Sequence, residues 1–283
     1  MVEQTTFGDP TPVALRDRIR TPQGKSVYVR ALFARIADRY DFITAALSYG
    51  QDRRWKERLV DYASDLGGAR ALDLATGTGD VAFALAERGA RVVGLDITPR
   101  MIELARAKSN GAGRLRAEGA SASAKASADR CSLSRTWSAS AVGSRPGDTR
   151  FLVGDMGALP FADQVFDVVT TGYGLRNVPD LALAIAEIHR VLKPGGQLLS
   201  LDFNRPANAM VRAAYLTYLT AVGGALGWLL HRDPDTYRYI PASIRQYPGA
   251  EAVVRMMRDC GFGRATYYRV LGGLMAIHHA IRT

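Results

Sequence analysis

The chain has 283 residues, of which 47% are hydrophobic, and it carries a formal net charge of +10 at pH 7. This hydrophobic content is sufficient for a sizeable core and excludes a chain too polar to fold. Two cysteines cannot form a disulfide framework and lack metal-ligand spacing, and residues 1–30 do not have the pattern of a secretory signal. We therefore expect a globular cytoplasmic protein without a bound metal.

The positive charge is concentrated in one unusual segment. Residues 111–150 hold seven Lys and Arg against three Asp and Glu, and Ala, Ser and Gly make up most of the remainder. We interpret residues 111–149 as a low-complexity insertion in a surface loop. Because no basic patch is interleaved with aromatic residues, a solvated positive surface is favoured over a nucleic-acid partner.

The N-terminal part predicts a flexible segment followed by two helices. Residues 1–27 are polar and punctuated by proline, so we expect a flexible segment there and a single domain over residues 28–283. Apolar residues at helical spacing predict helices over Tyr28–Leu47 and Asp52–Tyr62. These helices precede the sheet and are expected to cover its active-site edge.

The stretch Ala71–Ala86 predicts a buried strand, a glycine-rich loop and a helix. Gly77, Gly79 and Ala82 match the dinucleotide fingerprint G-x-G-x-x-G/A, which does not distinguish a nicotinamide cofactor from another adenosyl ligand. Asp73, at the end of the strand, would repel a pyrophosphate but would suit a cationic ligand such as S-adenosylmethionine.

Two further strand ends carry candidate binding residues. Asp96 ends a predicted strand, Arg91–Asp96, and is placed to accept hydrogen bonds from ribose hydroxyls. The alternative is a carboxylate that stabilises the N-terminus of the following helix. Asp155 ends the next strand and could accept from an adenine amino group, while Met156 could pack on the adenine ring or simply belong to the core.

The remaining pattern defines the fold class. Strands alternate with helices on short connections, which predicts a parallel sheet with right-handed crossovers and ligands at the carboxyl ends of the strands. We expect an α/β fold with a Rossmann-like, doubly wound, mostly parallel seven-stranded sheet and helices on both faces. The predicted later strands are Val165–Thr171, Gln197–Phe203, Arg264–Val270 and Gly273–Ile281, and the last is apolar enough for a central position.

Residues 205–248 form a predicted helical insertion on the substrate side. Within it, Ala213–Leu230 contains no charged residue and has the length of a transmembrane helix. Three glycines, two threonines and two tyrosines lower its hydropathy. A helix lining an apolar substrate pocket is therefore preferred, with contact at a membrane surface as the second interpretation.

Seven motifs of the chain are similar to motifs of a known family. They are FARIADRYDFITAALSYGQDRRWK (33–56), LDLATGTGD (72–80), GDMGALPF (154–161), GYGLRNVPD (172–180), VLKPGG (191–196), YRYIPASI (237–244) and GGLMAIHH (272–279). Between about Leu32 and Ile281 the chain resembles the ubiquinone/menaquinone biosynthesis C-methyltransferases, a family of class I S-adenosylmethionine-dependent methyltransferases. The first helix pair, the GLRNV loop and YRYIPASI are the most specific of these motifs.

The resemblance implies S-adenosylmethionine as cofactor and a particular set of contacts with it. Thr78 would lie in the glycine loop, Asp96 at the ribose, and Asp155 with Met156 at the adenine. By position, the cradle is completed by Asp73, Gly77 and Gly79.

The resemblance also implies methyl transfer to a ring carbon of a lipophilic prenylated quinol. Arg176, in the GLRNV loop, is expected to bind substrate and to stabilise the quinolate oxygen rather than to form a surface ion pair. Tyr40 and His278 could assist deprotonation, although a packed helix tyrosine and an ordinary strand histidine are equally good interpretations. Asn177 could bind substrate or fix the loop.

Several points stay open at this stage. Thr44 and Tyr173 depart from the residues common in the family, and both border the substrate side. The favoured substrate is demethylmenaquinol, and the alternative is 2-methoxy-6-polyprenyl-1,4-benzoquinol. Competing classes are an RNA methyltransferase, a nicotinamide-dependent oxidoreductase and a non-enzymatic membrane-associated module. Peripheral contact with the inner membrane face and a homo-oligomer remain open.

Overall fold

The computed structural model describes residue 15 and residues 19–117, 147–233 and 235–283. Most of the predicted insertion at 111–149 and of the predicted flexible segment at 1–27 lies outside these residues. The described helices are α1 (Pro22–Ile36), α2 (Tyr40–Leu47), α3 (Asp52–Asp61), α4 (Asp80–Glu87), α5 (Pro99–Ala117), α6 (Leu181–Val191), α7 (Ala209–His231), α8 (Asp235–Gln246) and α9 (Ala250–Asp259). The strands are β1 (Arg70–Leu74), β2 (Arg91–Asp96), β3 (Thr149–Val153), β4 (Phe166–Gly172), β5 (Leu192–Phe203), β6 (Phe262–Val270) and β7 (Met275–Arg282).

The seven strands form one sheet in the order β3-β2-β1-β4-β5-β7-β6. The first five strands in this order pair in parallel, and β7 pairs antiparallel with both β5 and β6. The order reverses direction between β1 and β4, which brings the carboxyl ends of these strands to one crevice. The predicted α/β class and seven-stranded sheet are confirmed, and β7 is internal as expected.

Adjacent residues of the central strands are buried on opposite faces of the sheet. On one face Leu72 and Val169 belong to a cluster that α6 and α9 cover. On the other face Ala71 and Val168 belong to a cluster that α3, α4 and α5 cover. Burial on both faces is why these strands read as continuous apolar runs rather than as alternating patterns.

The N-terminal helical region differs from the prediction in two ways. The predicted helix over residues 28–47 is two helices, α1 and α2, separated by a 3-10 turn at Ala37–Arg39. The apolar spacing continues through the turn, so periodicity alone does not reveal it. In addition, α1 begins at Pro22, and the Thr21 hydroxyl caps it by accepting from the Gly24 N–H at 3.1 Å. Residues 22–27, expected to be flexible, are therefore helical.

The predicted helical insertion consists of α7 and α8, which pack on each other. Asn208 caps α7 through hydrogen bonds from the Met210 and Val211 N–H groups, so the helix starts earlier than predicted. Among the described residues, α7 is the one helix long and apolar enough to cross a membrane, and 28% of its most apolar window is buried in the protein. One side of α7 faces the interior, and another leaves large apolar side chains exposed.

Candidate active site

The loop after β1 is shaped by backbone with positive φ. Gly77 has φ +56°, and an added Cβ would lie 3.6 Å from the ring of Tyr40. Gly79 has φ +93°, and its Cβ would come within 2.9 Å of Phe83 and 3.1 Å of Phe151. Gly77 thus keeps backbone open toward a cavity, whereas Gly79 allows the loop to pack on aromatic rings.

A first cavity, here called the strand-end cavity, lies beyond the carboxyl ends of β1, β2 and β3. Its lining includes four residues predicted to contact the cofactor, namely Gly77, Asp96, Asp155 and Met156. Helix α1 covers the cavity with Ser26, Val29 and Phe33. The predicted covering of this edge by N-terminal helices is therefore seen in the structure.

Asp96 is the buried acid of this cavity. Its two carboxylate oxygens accept from the Gly77 N–H at 2.9 Å and from the Thr98 N–H at 2.8 Å, and burial raises its pKa. Because each oxygen keeps a second lone pair, the carboxylate can still accept from ligand hydroxyls. The interpretation of Asp96 as a carboxylate at the start of the following helix is seen in the structure, since Thr98 immediately precedes α5, and contact with a ribose stays a prediction.

Asp155 and Met156 occupy the far side of the strand-end cavity. Asp155 accepts from the Gly157 N–H at 2.8 Å, and its other oxygen lies 3.6 Å from Nη2 of Arg30. Met156 is buried, lines the cavity and also belongs to the core cluster under α6. Its two interpretations, ligand contact and core packing, are compatible.

Three residues predicted to contact the cofactor do not line this cavity. Asp73 is buried and accepts from Thr76 at 2.6 Å and Thr170 at 2.7 Å, and burial raises its pKa to about 6. Thr78 donates to Asp41 at 2.6 Å, and Gly79 packs on aromatic rings. The structure does not bring these three residues to the lining of the strand-end cavity, because neighbours within the fold occupy their polar groups or their space. Their contact with the cofactor stays a prediction.

A second cavity, here called the apolar cavity, encloses about 380 Å³ beside the first. Helices α1, α2, α7 and α8 supply most of its apolar lining, which includes Leu32, Ile36, Ile43, Trp55, Tyr215, Leu219, Tyr239 and Ile240. The two cavities share the lining residues Phe33, Tyr40, Tyr173 and Asn177. A ligand in the strand-end cavity would therefore adjoin a ligand in the apolar cavity.

Arg176 lines the apolar cavity although only 5% of the residue is exposed. Its backbone N–H and Nε donate to Asp202 at 2.9 and 3.1 Å, and Nη1 donates to the Ser243 hydroxyl. Burial raises the pKa of Asp202, and the guanidinium opposes that rise. Nη2 has no hydrogen-bond partner among the described residues, so it is the donor available to a ligand.

Asn177 and Tyr40 lie where the two cavities meet. The Asn177 amide donates to the Tyr173 carbonyl at 2.8 Å and accepts from the Tyr239 hydroxyl at 2.9 Å, which fixes the loop as the sequence suggested. Burial raises the pKa of Tyr40 to about 12, so its hydroxyl stays neutral at physiological pH. It can exchange hydrogen bonds with a substrate but does not act as a phenolate base.

His278 is not part of this arrangement. It is buried on β7, with Nε2 3.3 Å from the Ala250 carbonyl of α9, and it is absent from the described lining of both cavities. Burial lowers its pKa to about 4. The structure does not bring this predicted residue to either cavity, because the imidazole faces a packed helix.

Sequence reasoning missed a chain of polar side chains that begins at the lining of the apolar cavity with Tyr173 and Asp52. The Tyr173 hydroxyl donates to Asp52 at 2.7 Å, and Asp52 pairs with Lys56 at 2.6 Å. Lys56 also pairs with Asp80 at 2.9 Å. The available signal was the i,i+4 spacing of Asp52 and Lys56, but such pairs usually lie on solvated helix faces.

The doubly wound sheet with an acidic cavity beyond its strand ends is the Rossmann-like fold expected of an S-adenosylmethionine-dependent methyltransferase, and the match to a methyltransferase family confirms the predicted class and cofactor. The solved structures similar to this chain agree on the fold. A possible histamine N-methyltransferase from Thermotoga maritima is 16% identical with a TM-score of 0.56, and it covers 90% of this chain and 100% of its own. Magnesium protoporphyrin IX methyltransferase from Synechocystis PCC 6803, with bound SAH, is 16% identical with a TM-score of 0.56, covering 92% and 100%.

The family follows from sequence comparison. The model of the ubiE/COQ5 methyltransferase family matches residues 21–130 and 137–282, and the chain belongs to this family. Demethylmenaquinone methyltransferase of Thermus thermophilus is 38% identical over 249 residues, which are 87% of this chain and 98% of the relative. Ubiquinone/menaquinone biosynthesis C-methyltransferase UbiE of Dinoroseobacter shibae is 36% identical over 256 residues, 90% of each.

Proposed function

We propose that the protein methylates a ring carbon of demethylmenaquinol, using S-adenosylmethionine as the methyl donor. The observation that carries this proposal is the contact between the two cavities through Phe33, Tyr40, Tyr173 and Asn177. One cavity offers acceptors for a nucleoside, and the other is apolar with few polar groups. This arrangement suits a lipophilic aromatic acceptor and not a polyanion such as RNA.

The residues at the strand-end cavity suit the cofactor. Asp96 retains acceptor capacity for ribose hydroxyls, the Asp155 carboxylate can accept from an amino group, and Met156 offers an apolar surface. When bound, S-adenosylmethionine supplies an electrophilic methyl group. The protein's task is then to orient the acceptor ring and to exclude water.

Arg176 is the proposed stabiliser of the quinol oxygen. Asp202 and Ser243 hold its guanidinium in place, Arg176 lines the apolar cavity, and Nη2 has no hydrogen-bond partner among the described residues. A fixed cation in a buried site favours negative charge developing on that oxygen without having to reorganise. Nucleophilicity then passes from the oxygen into the ring.

We also propose that the enzyme works as a peripheral protein at the cytoplasmic face of the membrane. Tyr49, Tyr218 and Leu271 line the apolar cavity and are 74%, 41% and 49% exposed, so its mouth has an apolar rim. On α7, Trp228 and Leu229 are 67% and 68% exposed. Such a surface would let a prenyl tail remain in lipid while the ring enters the cavity.

The test is incorporation of labelled methyl from S-adenosylmethionine into demethylmenaquinol and, in parallel, into 2-methoxy-6-polyprenyl-1,4-benzoquinol. Wild type should label demethylmenaquinol. Arg176→Lys keeps the charge opposite Asp202 but loses the planar fork, so we expect kcat to fall about 10-fold or more. Arg190→Lys, at a carboxylate-paired arginine outside both cavities, is the matched control and should keep its rate.

Each result has a distinct meaning. Label in the benzoquinol alone would replace the menaquinone assignment with the ubiquinone one. Absence of label in both quinols, with S-adenosylhomocysteine still bound, would overturn quinone methylation and redirect the search to RNA acceptors.

A further inference from the structure

The apolar cavity contains one carboxylate among the described residues that line it. That carboxylate is Asp52, on the first turn of α3, and it is 7% exposed. Arg176 is the one guanidinium or ammonium group in the same described lining. The other described lining residues are apolar, aromatic or neutral polar, so the cavity presents one carboxylate that can accept a proton and one cation that can stabilise negative charge.

The position of Asp52 is fixed by three contacts. Oδ1 accepts from the Tyr173 hydroxyl at 2.7 Å, Oδ2 pairs with Lys56 at 2.6 Å, and the backbone N–H donates to the Ser48 hydroxyl at 3.1 Å. A carboxylate offers about four lone-pair sites, and two of them are used here. The remaining sites can accept a hydrogen bond from a ligand in the cavity.

Asp52 lies beside one cation and two phenols. Lys56, itself held by Asp80 at 2.9 Å, supplies a compensating positive charge. Tyr173 is a neutral donor, since burial raises its pKa well above the ordinary value. The other titratable group close to Asp52 is Tyr40, whose pKa of about 12 also leaves it neutral.

We propose that Asp52 is the general base that accepts the hydroxyl proton of the quinol during methyl transfer. This inference rests on the proposed function. Asp52 removes the proton, and Arg176 stabilises the negative charge left on the oxygen.

The step balances as follows. As the O–H proton moves to Asp52, an electron pair of the ring carbon forms the bond to the methyl group, and the pair of the broken carbon–sulfur bond stays on sulfur. The methylated carbon then loses its hydrogen as a proton to water. Asp52 returns its proton to the oxygen, and the aromatic quinol is restored. A carboxylate paired with lysine is a sufficient base, because the hydroxyl becomes much more acidic as the ring loses aromaticity.

The first test compares Asp52→Asn with Asp80→Asn. Both variants remove a carboxylate partner of Lys56, but only Asp52 lines the apolar cavity. Loss of general base catalysis should lower kcat for demethylmenaquinol about 100-fold or more in Asp52→Asn. The kcat of Asp80→Asn should fall much less. Equal losses would show that Asp52 serves only as the counter-ion of Lys56, and the proposal would fall.

The second test measures the charge state of a bound ring without methyl transfer. 1-Naphthol is bound to the protein with S-adenosylhomocysteine, and its ionisation is followed by absorbance as the pH is raised. Removing the negative charge of Asp52 should make the bound naphthol more acidic, with its titration midpoint lower by about one unit or more than in wild type. An unchanged midpoint in Asp52→Asn would contradict contact between Asp52 and the ring oxygen.

A third variant covers a failure of Asp52→Asn to fold, which loss of S-adenosylhomocysteine binding would reveal. Asp52→Ala leaves a space beside Lys56 that formate can occupy. Added formate should therefore raise the kcat of this variant at least 10-fold. Absence of rescue in a folded variant would count against the proposal. If wild type itself labels no quinol, the proposed function fails, whereas labelling that survives in the Asp52 variants overturns only the assignment of the base.

Discussion

At the scale of single residues, His278 couples the stability of the fold to pH. Its folded pKa of about 4 lies below the value of about 6.5 expected in an unfolded chain. The unfolded state therefore binds more protons between these two pH values. The contribution of neutral His278 to the free energy of unfolding is complete above pH 6.5. It decreases by about 3 kcal/mol as the pH falls to 4.

We predict that His278→Gln weakens this acid dependence. Urea denaturation at pH 7, 5 and 4 should show that the variant loses about 3 kcal/mol less free energy of unfolding than wild type over this range. His279→Gln, at the half-buried neighbour, is the control and should change the slope of unfolding free energy against pH much less. Equal slopes in wild type and His278→Gln would refute the assignment. The kcat of His278→Gln should also stay close to wild type, because the imidazole lines neither cavity.

The candidate site was partly predictable at this scale. The spacing from strand end to glycine loop identified Gly77 and Asp96, because acidic residues at carboxyl strand ends meet in one crevice whatever the side-chain details. It could not show that Asp73 turns toward Thr76 and Thr170 instead of the cavity. Asp52 was missed, since its partner Tyr173 is remote in sequence and the contact forms only when α3 packs on the sheet.

At the scale of secondary structure, two adjacent glycines of α7 face different parts of α8. A Cβ at Gly223 would lie 3.1 Å from the backbone carbonyl oxygen of Tyr237, whereas a Cβ at Gly224 would meet only the side chain of Arg238 at 3.3 Å. Backbone cannot move without shifting α8, but a long side chain can. The close approach of the two helices therefore depends on Gly223.

This difference predicts opposite effects of alanine at the two positions. Gly224→Ala should stabilise the protein by up to about 1 kcal/mol, because alanine favours the helix. Gly223→Ala should be about 1 to 2 kcal/mol less stable than Gly224→Ala, because overpacking against backbone opposes that gain. Chemical denaturation of both variants checks this, and equal stability would show that α8 moves freely. Binding of 1-naphthol in the apolar cavity should weaken in Gly223→Ala alone.

The type of each secondary-structure element was predicted better than the residues at which it begins and ends. The helix and strand patterns of the sheet were right because burial on both faces leaves a strong signal. The start of α1 was wrong because Thr21 and Pro22 suit a loop as well as a helix N-terminus, and only the hydrogen bond from Gly24 distinguishes them. The turn at residues 37–39 leaves the apolar spacing intact and therefore could not be detected.

At the scale of the whole molecule, the exposed side of α7 and the rim of the apolar cavity should act together in membrane binding. We predict that wild type floats with phosphatidylglycerol vesicles and that the double variant Trp228→Glu, Leu229→Glu largely loses this binding. Placing two carboxylates at the lipid interface is unfavourable. With a short-tailed quinol in detergent, the double variant should keep its kcat, since neither residue lines the cavity.

The matched control is Leu183→Glu, a charge at another apolar side chain that is 51% exposed, on α6. Its flotation should equal that of wild type. Equal loss of flotation in all variants would show that net charge alone controls membrane binding. Full flotation of the double variant would exclude α7 as the membrane contact.

The antiparallel strand β7 has a consequence for the integrity of the sheet edge. β6 reaches the sheet only through β7, where Thr266 pairs with His279, and β7 in turn pairs with β5. A truncation that removes residues 275–282 would therefore take away the partner strand of β6 and expose the edge of β5 at the same time. Both strands would then be free to pair with strands of other chains, so we expect such a truncated chain to aggregate.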